Sequence, residues 1–322
     1  MANFTAYQPL NLVALPDPGD DFTARTNTST AFIWTGPLWV VSGTGVGLTY
    51  RESGDAYAGI WNSLKVDLLG QPVFELTGLN YNVDNSFYDQ GYEFAGLRLT
   101  GLLAEAANWL SGTDTVSGSA ANDVLAGFAG NDAIDGGFGI DTAAYAGVRS
   151  DFTIANNANG SAAVHDLRGF NGDDALVRIE RLQFLDRSTA IDFGTDLSGH
   201  AAVTAKILGA VFGPDAVDNL AYAGIGLQLL DSGVSQVDLA ELAVNTRLGT
   251  NASNAQVVEA LYTNVIGTPP AQAELAYYTG LLDSGNETRG ELAMLAANTA
   301  ENAARIDLVG LSQTGLDFTV AA

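Results

Sequence analysis

The sequence predicts a mainly β chain that ends in an α-helical domain, and three textures predict it. Up to about residue 108, apolar residues come in short runs broken by Gly, Pro, Asn and Asp. From 109 to 144, aspartates recur every nine residues, and from about 199 Ala and Leu take helical spacing. With 322 residues and 47% hydrophobic content, the chain has room for two or three domains with real cores. The expected division is a β-rich domain over 1–108, a repeat region with capping strands over 109–198, a duplicated α-helical domain over 199–310 and a tail over 311–322.

The runs of the first region are AFIW (31–34), LWVV (38–41), VGLTY (46–50), LKVDLL (64–69), VFEL (73–76) and LNYNV (79–83), each of strand length. Trp34, Trp39 and Trp61 read as core and sheet-face residues rather than a ligand cage. Nothing here spaces like a catalytic motif. Asp67 and Glu75 are an acidic pair that a glycosidase would need, and a solvated sheet face explains them at least as well. The apolar stretch NLVAL (11–15) is a candidate strand for donation to a neighbouring subunit.

Four consecutive nonapeptides follow: WLSGTDTVS, GSAANDVLA, GFAGNDAID and GGFGIDTAA, covering 109–144. Their sixth positions are Asp114, Asp123, Asp132 and Asp141, and their eighth are Val116, Leu125, Ile134 and Ala143. The pattern is GGxGxDxUx, a Ca²⁺-binding parallel β-helix repeat. Glycine at the first, second and fourth places permits a tight, partly left-handed loop with unobstructed carbonyls. The large eighth residue points inward from a very short strand. Calcium takes six to eight oxygens at about 2.3–2.6 Å, which loop carbonyls and aspartates of neighbouring loops can provide.

On these residues the chain resembles the repeats-in-toxin (RTX) family. The resemblance implies a short parallel β-roll with two nonapeptides per turn, so that loops eighteen residues apart stack with an ion between them. It implies that Asp114 pairs with Asp132 on one edge and Asp123 with Asp141 on the other, holding about two ions. The implied ligands are these carboxylates and the loop oxygens of Gly112, Gly118, Ala120, Asn122, Gly127, Ala129, Gly130, Asn131, Gly136 and Gly139. The first unit keeps one of its three glycines, the second has Ala121 at its fourth place, and the last turns small Ala143 inward, so the roll is expected to be short with weak outer sites. Downstream, YAGVRSDFTI (145–154), AAVHDLRG (162–169) and GDDALVRIERLQFLD (172–186) look like the strand-rich flank that caps RTX rolls. There Gly172, Asp174 and Leu176 repeat the loop spacing, which fits a further calcium loop or a simple turn. His165 reads as a strand residue, since calcium prefers oxygen.

The helical region repeats itself. KILGAVFG (206–213) is echoed by ALYTNVIG (260–267), LAYAGIGLQLLDSG (220–233) by LAYYTGLLDSG (275–285), and LAELAVNT (239–246) by LAMLAANT (292–299). Two copies of one unit would pack because neither buries its apolar face alone, which accounts for Tyr222, Tyr277 and Tyr278. The region resembles a module of unknown function found after RTX repeats in bacterial extracellular proteins. The end, GLDFTVAA, looks like the acidic-then-apolar signals of type I secretion substrates.

Composition narrows the function. Against 37 acidic residues stand 13 basic ones, a formal net charge of −24, which repels nucleic acid and anionic membranes. The absence of cysteine removes disulfides and thiolate chemistry, and His165 and His200 alone exclude a His-rich zinc site. No basic N-terminal leader, membrane-span-length apolar run, HExxH helix or GxSxG elbow is present. The expected protein is a secreted, non-enzymatic, Ca²⁺-binding building block of a surface layer, filament or matrix. It would self-associate, contact the type I secretion machinery, bind no nucleic acid and span no membrane. A secreted adhesive or glycan-binding module is the alternative, and a hydrolase with an unrecognised site ranks below it.

Overall fold

The computed structural model describes residues 2–8, 23–28, 31–35, 39–50, 56–68, 71–83, 107, 110–157 and 159–319. Sixteen strands and eight helices fall within them: β1 (Asn3–Ala6), β2 (Thr23–Asn27), β3 (Ala31–Thr35), β4 (Trp39–Tyr50), β5 (Ala56–Leu68), β6 (Gln71–Val83), β7 (Thr115–Ser117), β8 (Val124–Leu125), β9 (Ala133–Asp135), β10 (Thr142–Ala144), β11 (Phe152–Asn156), β12 (Ser161–Asp166), β13 (Asp173–Val177), β14 (Arg181–Gln183), β15 (Ser188–Ala190), then α1 (His200–Phe212), α2 (Leu220–Asp231), α3 (Gln236–Leu248), α4 (Asn254–Ile266), α5 (Gln272–Asp283), α6 (Arg289–Ala297), α7 (Ala300–Arg305), α8 (Leu308–Thr314) and finally β16 (Leu316–Phe318). The chain forms two compact units, one of residues 1–153 with 161–185 and one of 154–160 with 186–322.

In the first unit, the antiparallel strands and the repeat region share a single sheet, ordered β12-β13-β9-β7-β1-β6-β5-β4-β3-β2. β1 joins the two kinds of pairing. It runs antiparallel to β6 and parallel to β7, so Phe4 faces Leu76 on one side and Val116 on the other. From there Val116 aligns with Ile134, Ile134 with Leu176 and Leu176 with Ala162. A row of inward side chains therefore crosses six strands, all of them buried. The opposite wall of the roll is narrower. β8, β10 and β14 pair in parallel and stack Leu125, Ala143 and Leu182, each fully buried. Just beyond the small Ala143, Tyr145 is buried against Phe152 and Phe184, with ring centroids 5.2 Å and 5.7 Å away.

Trp61, Leu64 and Val66 turn into the core of the long hairpin β5–β6, with a register shift between Trp61 and Ser63, so Trp61 is a core residue as its surroundings in sequence suggest. The side chains of Trp34 and Trp39 lie outside the described residues, as does the stretch 11–15 considered for strand donation.

In the second unit the two echoed stretches of sequence fall on two sets of three helices, α1–α3 and α4–α6. Both share one apolar core, to which Ile207, Val211 and Val244 contribute from the first copy and Leu261, Val265 and Ala297 from the second. The helix starts are legible in sequence. Ser253 and Gln256 form a reciprocal capping box on α4, and Thr288 and Glu291 form one on α6. The C-terminal strand β16 pairs antiparallel with β15 and buries Leu316 and Phe318.

Because Ile134 sits mid-row between two parallel neighbours, Ile134→Ala is expected to cost about 2–4 kcal/mol of stability. Chemical denaturation in millimolar Ca²⁺ measures it, and a loss below about 1 kcal/mol would contradict the packing described.

Candidate metal centre

The repeat region coils into three tiers with loops along two edges. On the first edge the loops end at Asp114, Asp132 and Asp174; on the second they end at Asp123, Asp141 and Glu180. The acidic side chains of the second and third tiers reach back one tier. The N–H of Asp114 donates to Asp132 Oδ1 (2.8 Å) and that of Asp132 to Asp174 Oδ1 (3.0 Å). On the other edge, Asp123 N–H donates to Asp141 Oδ1 (2.8 Å) and Asp141 N–H to Glu180 Oε2 (2.8 Å). The backbone follows the same course: the carbonyls of Asp114, Asp123, Asp132 and Asp141 accept from Ala133, Thr142, Ala175 and Arg181. At the open end, Ala2 N–H donates to the Asp114 carboxylate.

The first two tiers are eighteen residues apart, as two nonapeptides per turn require, and bring Asp114 to Asp132 and Asp123 to Asp141. The third tier breaks the metre, with separations of 42 and 39 residues, yet occupies the same register. Asp174 is thereby placed in a stacked loop and not in an isolated turn. Glu180 was missed by the nine-residue count. Its signal is the triplet Glu180-Arg181-Leu182, which repeats the acid-x-apolar order of Asp132-Ala133-Ile134.

Glycine is required where loops touch. Gly130 has φ +127°, and a Cβ there would lie 1.7 Å from the Gly112 carbonyl oxygen. A Cβ on Gly172 would meet the Gly130 carbonyl oxygen at 1.9 Å, one on Gly118 that of Gly136 at 2.1 Å, and one on Gly136 that of Arg178 at 2.0 Å. Loop carbonyls thus lie directly against the next tier. Gly127 and Ala129 belong to the first-edge loop ending at Asp132; Gly118 and Ala120 belong to the second-edge loop ending at Asp123, and Gly139 to the one ending at Asp141.

The degenerate positions find substitutes. In the loop with Ala121 at the fourth place, Ser119 donates its N–H (2.6 Å) and hydroxyl (2.8 Å) to Asp123 Oδ2 and accepts from Ala121 N–H (3.2 Å). Asn122 and Asn131 pin adjacent tiers together, their side-chain oxygens accepting from Ile140 N–H (3.0 Å) and Asp173 N–H (2.9 Å). Phe128 adopts φ +66° at a second place that glycine would fill without strain.

The six acidic groups are packed into a narrow coil, and all four repeat aspartates are buried. Asp132 Oδ2 and Asp141 Oδ2 have no hydrogen-bond partner. Burial pushes the Asp132 carboxyl up to about 7; the Asp114 amide bond opposes this, and the neighbouring Asp174 and Asp114 add to it. Burial likewise raises Asp141 to about 7, with Glu180 and Asp123 adding to the rise. Burial dominates at Asp174 as well and lifts it to about 6. Carboxylates so placed lack a counter-charge, and a hard cation fits them. Among the described residues no three His, Asp or Glu side chains converge into a metal cage.

Other candidates lie elsewhere. His165, on β12, meets Asp173 at the surface, and His200, at the start of α1, meets Asp231. Asp67 is held by Lys65 at 3.0 Å, and Lys65 also stands opposite Glu75 across the hairpin, so the acidic pair shares a cation.

Two outcomes follow. Gly130→Ala is expected to prevent tier stacking and to abolish Ca²⁺-induced ordering, whereas Gly169→Ala, at φ +78° with nothing within 4 Å, should cost only about 1 kcal/mol. Circular dichroism during a Ca²⁺ titration separates them, and equal behaviour would contradict loop contact as the cause. In chelator, the folded roll holds protons on Asp132 and Asp141 up to about pH 7. The unfolded chain releases them near pH ~4, so stability falls as pH rises from about 4 through 7. The chelated protein should therefore be more ordered at about pH 5 than at about pH 8. The reverse order would contradict buried carboxylates.

Residues 110–143 match the family described as RTX calcium-binding nonapeptide repeat, in four copies. Residues 240–306 match a domain of unknown function, DUF4214. No curated protein matches the chain. Among solved structures, the extracellular lipase LipA from Serratia marcescens is similar at 21% identity and a TM-score of 0.15, over 25% of this chain. The chain spans only 14% of that lipase. The match at 110–143 falls on the residues that build the first two tiers, so sequence and geometry identify one device: this segment carries RTX nonapeptide repeats, and Ca²⁺ is the ion such repeats bind.

Proposed function

We propose that the protein is secreted and structural: a calcium-dependent building block of a bacterial surface layer, extracellular filament or matrix, exported by a type I system and folded by Ca²⁺ outside the cell. The observation that carries this reading is the pair of unpartnered, buried carboxylate oxygens on Asp132 and Asp141 within stacked loops. Such a roll is disfavoured at low Ca²⁺ and favoured when the ion is plentiful, because binding free energy becomes folding free energy. No helix among the described residues is long and apolar enough to cross a membrane.

Self-association has support in the first unit. β2 is the outermost described strand of its sheet, and nearby the cross-strand pair Val46 and Ile60 is exposed, as is Ile33 on β3. An edge strand beside exposed apolar groups suits sheet extension by a second copy.

Electron microscopy and light scattering in millimolar Ca²⁺ and in chelator test the proposal. Ordered polymers that dissolve in chelator are the expected result, while monodisperse particles in both conditions would refute the assembly role. The variant D123N/D132N should lose the Ca²⁺-induced gain of structure, and an unchanged titration would refute calcium-driven folding.

A further inference from the structure

We infer that the ion-binding ladder continues past the repeats: Asp174 and Glu180, which belong to no nonapeptide, complete two further Ca²⁺ sites against the second-tier loops 127–132 and 136–141. This rests on the calcium reading of the repeats and extends it to residues outside the matched segment 110–143.

Three observations converge. The carboxylate-to-amide contact between the first two tiers recurs between the second and third, at Asp174 with Asp132 and at Glu180 with Asp141. Loop carbonyls make the same close approach across both gaps: the Gly130 carbonyl lies against Gly172, and the Arg178 carbonyl against Gly136. The demand for a cation also centres on the second tier. First-tier carboxylates are engaged within their own loops, Asp114 Oδ2 by Gly112 N–H (3.2 Å) and Asp123 Oδ2 by Ser119. The buried Oδ2 atoms of Asp132 and Asp141 are unpartnered. Those two residues have a tier on either side, so they can share ions with the flank as well as with the first tier.

The consequence is a calcium-dependent closure. The flank returns to the roll only after the excursion through residues 145–171, and the loop entropy of that return is opposed by whatever joins its ends. Ions between the second and third tiers join them directly. Calcium would then order β13 and β14 as caps, and would do more than rigidify the repeats themselves.

Equilibrium dialysis of the full-length protein with Ca²⁺ tests this. D174N and E180Q each keep an oxygen to accept the Asp132 or Asp141 N–H while removing the charge. Each is expected to bind one ion fewer than the wild type, and D174N/E180Q two fewer, with circular dichroism in Ca²⁺ showing the folded state. Folded variants that bind as many ions as the wild type would overturn the inference. If a single variant fails to fold, rescue by the charge-retaining E180D or D174E at raised Ca²⁺ is expected, and failure of that rescue overturns it. A wild-type protein that binds no Ca²⁺ would instead refute the calcium reading on which the inference rests, and the two failures are therefore distinguishable.

Discussion

The roll of the first unit depends on stacking carboxylates at strand spacing. Tiers joined by β-ladder hydrogen bonds lie about 4.8 Å apart. Two unit charges about 5 Å apart repel by roughly 3 kcal/mol at the effective dielectric of a protein. Each edge carries three such acids, and those of the second and third tiers, Asp132, Asp174, Asp141 and Glu180, also accept the hydrogen bond that holds the tier before them. The contact that aligns the loops is thus the contact that brings like charges together. Apolar burial has little with which to offset this, since a nonapeptide turns one side chain inward and orders nine residues to do so. Burial first, and the neighbouring acids after it, raise the Asp132 and Asp141 carboxyls, so protons neutralise part of this charge, while calcium brings charge and ligand demand matched to the loop oxygens.

A coil of three tiers also has two open ends, and unpaired strand edges invite association. One end is covered by β1, whose Phe4 continues the inward row and whose Ala2 amide meets Asp114, the last acid on that side. Past the third tier, β12 turns antiparallel and brings Ala162 to Leu176. The turn after β12 is held by Asp166, which accepts from the amides of Arg168, Phe170 and Asn171. Burial alone would raise that carboxyl, but the donors from Asn171 and Arg168 outweigh it and hold it at about 2. Asp166 is therefore a charge satisfied by protein alone, in contrast to Asp132 and Asp141, whose Oδ2 atoms have no hydrogen-bond partner. The difference lies in donors: a turn rich in N–H groups serves an anion, and a stack of carbonyls serves a cation.

Local chemistry was legible in the sequence and long-range register was not. The aspartate metre, the inward positions Val116, Leu125 and Ile134, the helical duplication and the caps Ser253 and Thr288 all express interactions within a few residues, or at a fixed repeat. Glu180 escaped because 39 residues separate it from Asp141, so no period connects them. β1 escaped for a similar reason. NFTA is too short to announce a partner, and its parallel pairing with β7 is decided by Val116 needing a neighbour for its inward side chain. Ser119 shows a third kind of gap: the second loop reads as degenerate when glycines are counted, while the hydroxyl that replaces them restores the turn.

One divergence between the two helical copies concerns the C-terminal tail. In the first copy α2 carries Gly224, where a Cβ would stand 1.9 Å from the Thr319 carbonyl oxygen, and Thr319 N–H donates to the Leu220 carbonyl at 3.0 Å. The corresponding helix of the second copy, α5, has Tyr277 and Tyr278 in that stretch, and Tyr277 is exposed. The first copy is shaped to receive β16, whose Asp317 is further fixed by the Thr189 hydroxyl at 2.6 Å. The segment whose acidic-then-apolar order resembles an export signal is thus partly consumed by folding: Leu316 and Phe318 are buried, and its backbone is paired with β15. Under the proposed export route, these residues are accessible to a receptor only while the chain is unfolded. A protein whose roll needs calcium and whose tail is hidden by folding would present its signal where calcium is scarce and withdraw it where calcium is plentiful.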